Sequence, residues 1–158
     1  MEQAQTFFPI FINLDQKHCI LYGGGNIACR RAEGLLRFGA KVTVYAPRIG
    51  AGICRLKEEY PQTLLVEQAP YRPGIPEADF VFSCTDDART DRSVYEECKA
   101  RGIPVNIASD QQLCDFLFPA LAVQEELVVG ISSGGKNHKK VRQFSQKLRE
   151  WMGGCKWK

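Results

Sequence analysis

The sequence predicts a doubly wound α/β fold, a parallel sheet covered by helices on both faces, followed by a β-hairpin and a terminal helix. Three observations predict it. Short, near-continuous apolar runs alternate with longer stretches of helical periodicity, the pattern of parallel strands buried on both faces. A glycine turn, Gly23-Gly24-Gly25, separates an apolar strand from the helix after it. Near residue 112 the alternation ends, giving way to two apolar runs flanking Gln124-Glu125-Glu126 and one amphipathic stretch.

The elements follow in order. Residues 7–14 read as a first strand, ended by the turn-prone Asp15-Gln16-Lys17, and residues 19–22 as a second, stopped by the glycines. From 26 to 38, Ile27, Ala28, Ala32, Leu35 and Phe38 recur at helical spacing before Gly39. Strands are expected at 41–45, 63–67, 79–84 and 103–107, and helices at 49–60 and 90–101. Pro70, Pro73, Gly74 and Pro76 mark an irregular connection. Together these make a Rossmann-type domain over residues 1–112. Residues 113–158 form a second segment, with hairpin strands at 116–123 and 127–132 and a helix over 137–152. That helix carries Val141, Phe144, Leu148 and Trp151 on one face, a stripe suited either to its own domain or to a second subunit.

A chain of 158 residues suits one domain with a short appendage and needs no disulfide or metal to fold. A net charge of +3, without a basic stripe interleaved with aromatics, excludes a nucleic-acid binder. The seven cysteines include no CxxC spacing and read as buried thiols in a reducing compartment. Residues 1–5 lack the opening of a signal peptide, and no apolar run reaches membrane-spanning length, so the expected location is the cytoplasm.

The glycine turn carries chemistry because its surroundings are right: an apolar strand before it, a helix after it, and a βαβ unit around both. Gly23 permits the tight turn, Gly24 follows it, and Gly25 admits a pyrophosphate close to the backbone. Asn26 and Ile27 open a helix whose N–H groups face the anion, and Ala28 keeps that helix close to the strand. The expected ligand is a nicotinamide dinucleotide. The acidic residue that normally ends the second strand and binds the ribose is missing, and Tyr45-Ala46-Pro47-Arg48 stands there. Arg48 is either a partner for a 2′-phosphate or a solvated residue, so the residues alone leave NAD and NADP open.

Phe8-Pro9-Ile10-Phe11-Ile12-Asn13-Leu14 before the GGGxxA turn, with Arg30-Arg31-Ala32 after it, resembles the precorrin-2 dehydrogenase module of siroheme synthases. The likeness continues through Ala46-Pro47, Thr85-Asp86-Asp87, Pro104-Val105-Asn106 and residues 113–120, Leu-Cys-Asp-Phe-Leu-Phe-Pro-Ala. It ends in Ile131-Ser132-Ser133-Gly134-Gly135-Lys136. The resemblance implies NAD-dependent oxidation of precorrin-2 to sirohydrochlorin by a homodimer whose hairpin segment builds the subunit contact. It favours NAD as cofactor, with Ala46, Pro47, Thr85 and Asp86 joining the glycine turn in holding it.

Such an oxidation needs a hydride acceptor and a proton acceptor near the carboxyl ends of the strands. The family commonly reads Asn-x-x-Asp after the last parallel strand, and that Asp is credited as the base. Counted from Asn106, its place is taken by Ser109, too weak a base unaided, and the carboxylate stands at Asp110. Asp110 is either the proton acceptor or the start of a turn. Asp86 and Asp87 follow a strand, where such a pair also reads as a helix cap.

A substrate rich in carboxylates calls for cations. Lys136, Lys139, Lys140 and Arg142 cluster at the final glycine turn, and Asn106, Ser133, Gly134 and Lys136 are the expected substrate contacts. No metal site is expected, because His18 and His138 do not pair, and iron insertion is not anticipated. The shorter C-terminal segment and Ser109 motivate an alternative, a dinucleotide-binding sensor or partner protein of tetrapyrrole metabolism.

Overall fold

A computed structural model describes residues 7–154. Expectations that fall on residues 1–5 and on Cys155 lie outside the described residues. The chain divides into two compact units, one over Ile12–Phe116 and the other made of described residues 7–11 and 117–154.

The larger unit is a five-stranded parallel sheet. Its elements are β1 (His18–Tyr22), α1 (Asn26–Arg37), β2 (Lys41–Tyr45), α2 (Ala51–Glu59), β3 (Leu64–Glu67), β4 (Phe80–Ser83), α3 (Ala88–Arg101), β5 (Val105–Ile107) and a 3-10 turn, Gln111–Leu113. The strand order is β3-β2-β1-β4-β5, so the chain winds outward from β1 in one direction and then returns to wind in the other. The strand order reverses between β1 and β4, the position where such sheets open a crevice at their carboxyl ends.

The strands form where apolar residues run unbroken. Cys19, Ile20 and Leu21 of β1 are fully buried, and Val42, Val44, Val81 and Val105 fill the neighbouring strands. Helix α1 buries Ala28, Ala32, Leu35 and Leu36, small residues first, which lets its first turns lie close to the sheet. Helix α3 is more polar and buries Asp91, Val94 and Cys98 along one face. The irregular connection before β4 is tied down by Glu97, which accepts from the Tyr71 hydroxyl at 2.8 Å and from the N–H groups of Gly74 (3.1 Å) and Ile75 (2.6 Å). Burial works to raise that carboxyl, but these donors and Arg101 outweigh it and hold it below its ordinary value.

Three expectations about strands need correction. Residues 7–14 form no strand. β1 already has β2 on one side and β4 on the other, which leaves it no free edge, and Phe8, Ile10, Phe11 and Ile12 remain exposed. β5 starts at Val105 rather than 103, because Pro104 has no N–H for the ladder and contributes only its carbonyl, to Val81. Residues 116–119 are not hairpin strand. Phe116 belongs to the larger unit, its ring edge-on to Phe80 (5.6 Å) and Phe82 (5.4 Å).

The smaller unit pairs β6 (Ala120–Gln124) antiparallel with β7 (Leu127–Ile131) and ends in α4 (His138–Gly154). Helix α4 packs on β6, with Arg149 donating to the Leu121 carbonyl at 3.2 Å. The packed row of α4 is Val141, Ser145, Leu148 and Met152, one step round from the expected stripe. Phe144 and Trp151 lie outside it, 56% and 61% exposed.

Candidate functional site

The carboxyl ends of β1, β2 and β4 converge on the glycine turn. Gly23 has a φ of +116° and donates to the Tyr45 carbonyl at 2.9 Å, fastening the turn to the end of β2. A Cβ there would lie 2.4 Å from the Cys84 carbonyl oxygen at the end of β4. Gly24 is as restricted, since a Cβ would fall 2.2 Å from the Arg48 carbonyl oxygen, and its own carbonyl accepts from Gly50 at 2.9 Å. These two glycines are required by the protein's own packing.

Gly25 differs. It is the N-cap of α1 with ordinary φ, and a Cβ built on it meets nothing within 4 Å. No side chain caps this helix and its first turn carries no acid. The first N–H groups of α1, at the exposed Asn26 and Ile27, therefore point out of the helix end with its partial positive charge. Open space over an uncapped helix N-terminus, at the point where strand order reverses, fits the pyrophosphate of a dinucleotide.

Around this turn the other expected residues take varied positions. Ala46 is buried and Pro47 exposed in the loop after β2, and Arg48 is exposed, meeting Gly24 through its backbone carbonyl. Tyr45 stacks on Tyr22 at 5.6 Å, so an aromatic pair occupies the strand end where an acid was looked for. Asp86 is exposed beside the turn into α3, while Asp87 is that helix's N-cap, accepting from the N–H groups of Arg89 and Thr90 at 3.2 Å each. Burial pushes the Cys84 thiol up to about 11 against the pull of Arg31, so it stays protonated and inert at neutral pH.

In the loop after β5 the Asp110 carboxylate accepts from the Gln112 N–H at 2.8 Å and caps the 3-10 turn, the geometry of the turn-starting reading. Ser109 is exposed, and its hydroxyl donates to Asp91 at 2.5 Å. Asn106, expected at the substrate, is 2% exposed with both ends of its amide committed: Arg31 donates to its oxygen, and its nitrogen donates to the Phe116 carbonyl at 2.7 Å. Arg31 also lies over the Phe82 ring, 5.9 Å from its centroid. The Arg31–Asn106–Phe116 chain thus braces α1 against β5 from inside the sheet.

Asp91 and Arg31 went unrecognised in the sequence as site residues. Asp91 is 3% exposed and accepts from the hydroxyls of Ser83 and Thr85 as well as Ser109. Its signal was present: an acid at 91 in register with Val94 and Cys98 on the buried stripe of a helix.

Ser133, Gly134 and Lys136 lie in the smaller unit, in the turn before α4. Gly134 and Gly135 have φ of +61° and +74°. The Gly134 N–H is taken by the Ser132 hydroxyl at 3.0 Å, the Ser133 hydroxyl accepts from Asn137 at 2.9 Å, and Lys136 is exposed. Asn137 caps α4 through the Lys140 N–H at 2.8 Å. His18 is held structurally, its ring nitrogens 2.7 Å from the Glu77 carbonyl and 2.9 Å from the Thr43 hydroxyl.

Residues 10–120 match a protein family described as "Putative NAD(P)-binding". The chain belongs to this NAD(P)-binding family. Siroheme synthase 1 of Halorhodospira halophila is 39% identical over 142 residues, covering 89% of this chain and 29% of that protein. Siroheme synthase of Hydrogenovibrio crunogenus is 34% identical over 150 residues, covering 90% of this chain and 30% of that protein. The chain therefore spans less than a third of the length of these relatives. A solved structure titled "SirC, precorrin-2 dehydrogenase" superposes with a TM-score of 0.76 at 24% identity, over 93% of this chain and 74% of the other. That likeness carries the fold, sheet, hairpin and terminal helix together.

The two kinds of glycine predict opposite failures. Gly25→Leu keeps the fold, with a melting temperature within a few degrees of wild type, and loses dinucleotide affinity at least ~100-fold by titration calorimetry. Gly23→Ala loses about 3 kcal/mol or more of stability in denaturant unfolding, from positive φ and the clash with Cys84. A Gly25→Leu protein that binds as wild type contradicts the placement of the diphosphate.

Proposed function

We propose that this protein is an NAD-dependent precorrin-2 dehydrogenase that acts as a homodimer in the cytoplasm and produces sirohydrochlorin for siroheme biosynthesis. The observation that carries the reading is the open, uncapped α1 N-terminus at Gly25, in a chain whose relatives are siroheme synthases and whose fold is that of a precorrin-2 dehydrogenase. The six described cysteines are free thiols, in keeping with a reducing compartment. Among the described residues no helix is long and apolar enough to cross a membrane.

When bound, the dinucleotide supplies a hydride acceptor. The protein's own part is to hold and orient it: Gly23 and Gly24 shape the turn, Gly25 leaves the approach clear, and the N–H groups of Asn26 and Ile27 meet the diphosphate. Ala46, Pro47, Thr85 and Asp86 line the strand ends beside it. NAD is favoured over NADP by the family resemblance. Ser133, Gly134 and Lys136 are the residues we assign to the substrate's carboxylates, whereas Asn106, buried and doubly bonded, acts as a brace. Iron insertion forms no part of the proposal.

The homodimer draws support from surface chemistry. Phe8, Ile10, Phe11, Leu127, Phe144 and Trp151, all in the smaller unit, are large apolar residues left exposed in the single chain. Such a concentration on one small unit supports the reading of it as an association surface. A second reading, a dinucleotide-binding sensor or partner protein without turnover, draws on Ser109 at the position where the family carries its base.

Supplied with precorrin-2, the protein forms sirohydrochlorin, followed by absorbance, with NAD and more slowly with NADP. A folded protein that binds NAD and gives no product contradicts the enzyme reading and favours the second. In light scattering after gel filtration, the wild type elutes at twice the chain mass and F144E/W151E at the chain mass. A wild type at the single-chain mass contradicts the dimer.

A further inference from the structure

In the dehydrogenase reading Ser109 stands at the position expected for the base, and the carboxylate beside it, Asp110, caps a turn through one oxygen. We propose that Asp91, on helix α3, supplies the missing carboxylate and works through the Ser109 hydroxyl; the inference rests on that reading of the site.

The arrangement around Asp91 is polarised. One carboxylate oxygen, Oδ1, accepts from Ser83 and Thr85 at 2.6 Å each. The other, Oδ2, accepts from Ser109 at 2.5 Å. Ser83 is fully buried at the end of β4 and Thr85 half-buried just beyond it, whereas Ser109 is exposed on the loop after β5. A carboxylate 3% exposed therefore reaches the surface at the sheet's carboxyl ends through Ser109.

Stability does not account for an acid here. Burial of a carboxylate is costly unless it is offset. Asp87, not Asp91, is the N-cap of α3, and among the described residues the ion pairs leave Asp91 without a cationic partner. Neutral hydroxyls alone hold it, and an amide would satisfy two of them with no charge to desolvate.

The proton step balances as follows. When bound, the oxidised nicotinamide would accept one substrate hydrogen with its electron pair, as hydride. The second hydrogen leaves as a proton to Ser109 Oγ, and the pair it leaves behind closes the new double bond. As Oγ takes that proton it passes its own to Asp91 Oδ2. Ser109 is again a hydroxyl, and Asp91 is a neutral acid donating to it. The proton returns to solvent by the reverse path. Ser109 is the catalytic residue, because it touches the reacting atoms, and Asp91 is its positioning and proton-holding partner.

The test compares Asp91→Asn, Ser109→Ala, the double variant of both, and the transposed pair Asp91→Asn with Ser109→Asp. All are assayed for kcat and KM with precorrin-2 and NAD, and for NAD affinity by calorimetry without substrate. Asp91→Asn and Ser109→Ala each lower kcat at least ~100-fold. KM and NAD affinity stay within a few-fold of wild type, and the double variant is no slower than either single one. Moving the carboxylate across the same hydrogen bond restores kcat to within ~10-fold of wild type, a rescue that a merely structural role would not give.

Wild-type kcat in Asp91→Asn or Ser109→Ala, or a transposed pair as slow as Asp91→Asn, overturns the proposal while leaving the dehydrogenase reading intact. Absence of turnover in the wild type itself overturns that reading and this proposal together. Should Asp91→Asn fail to fold, Ser109→Ala and the transposed pair decide the matter.

Discussion

The end of β1 lies against the end of β4 with only a hydrogen atom's room at Gly23, and much of the site depends on that contact. A Cβ at this position would sit 2.4 Å from the Cys84 carbonyl. Cys84 in turn donates its N–H to Tyr22 at 2.7 Å, and Gly23 donates to Tyr45. Three parallel strands are thereby joined just where their order reverses. The turn that follows must then deliver the chain into α1 with its N-terminus over the sheet's carboxyl edge. The dinucleotide site is in this sense a consequence of topology: a parallel sheet wound from its centre outward leaves a crevice there, and the glycines keep it free of side chains.

The same edge explains the polar interior of the larger unit. Asp91 and Asn106 are buried polar residues, with Ser83 and Thr43, in a unit whose core is mostly apolar. Each is fully bonded, one by three hydroxyls and the other by Arg31 and the Phe116 carbonyl. Satisfied buried networks of this kind tolerate little displacement. They hold the loops after β4 and β5 in place, and those loops carry Thr85 and Ser109. The cofactor edge thus rests on backbone packing, while the proposed proton path rests on side-chain bonds behind it.

What the sequence made legible divides along the range of the interactions. The strands His18–Tyr22, Lys41–Tyr45 and Phe80–Ser83 and the helix Asn26–Arg37 were readable to within a residue at each end because local pattern and burial agree there. Residues 7–14 have the same apolar look, yet they pair with no strand, and whether an apolar run finds a partner is a property of the whole fold. Pro104 trimmed β5 for a reason visible in the sequence, the missing N–H. The glycine turn was legible as a motif, but the different burdens on Gly23, Gly24 and Gly25 appear only when the Cys84 and Arg48 carbonyls are brought beside them. Asp91 lies 18 residues from Ser109 in the chain. No spacing rule connects a helix residue to a loop beyond the next strand, so the pair emerged only in three dimensions. Phe144 and Trp151 belong to a stripe suited either to the chain's own domain or to a second subunit, and in the single chain the packed row runs through Val141, Ser145, Leu148 and Met152 and leaves both exposed. Periodicity gives the stripe but not which edge of it meets the hairpin.

The central claim is that a nicotinamide dinucleotide sits with its diphosphate over the start of α1. Titrating isotope-labelled protein with NAD and following backbone amide resonances tests it most directly. The N–H signals of Gly25, Asn26 and Ile27 are expected to move first and furthest, with smaller shifts at Thr85 and Ser109. Saturable binding that leaves those three amides unmoved, with the largest shifts elsewhere in the chain, would contradict it.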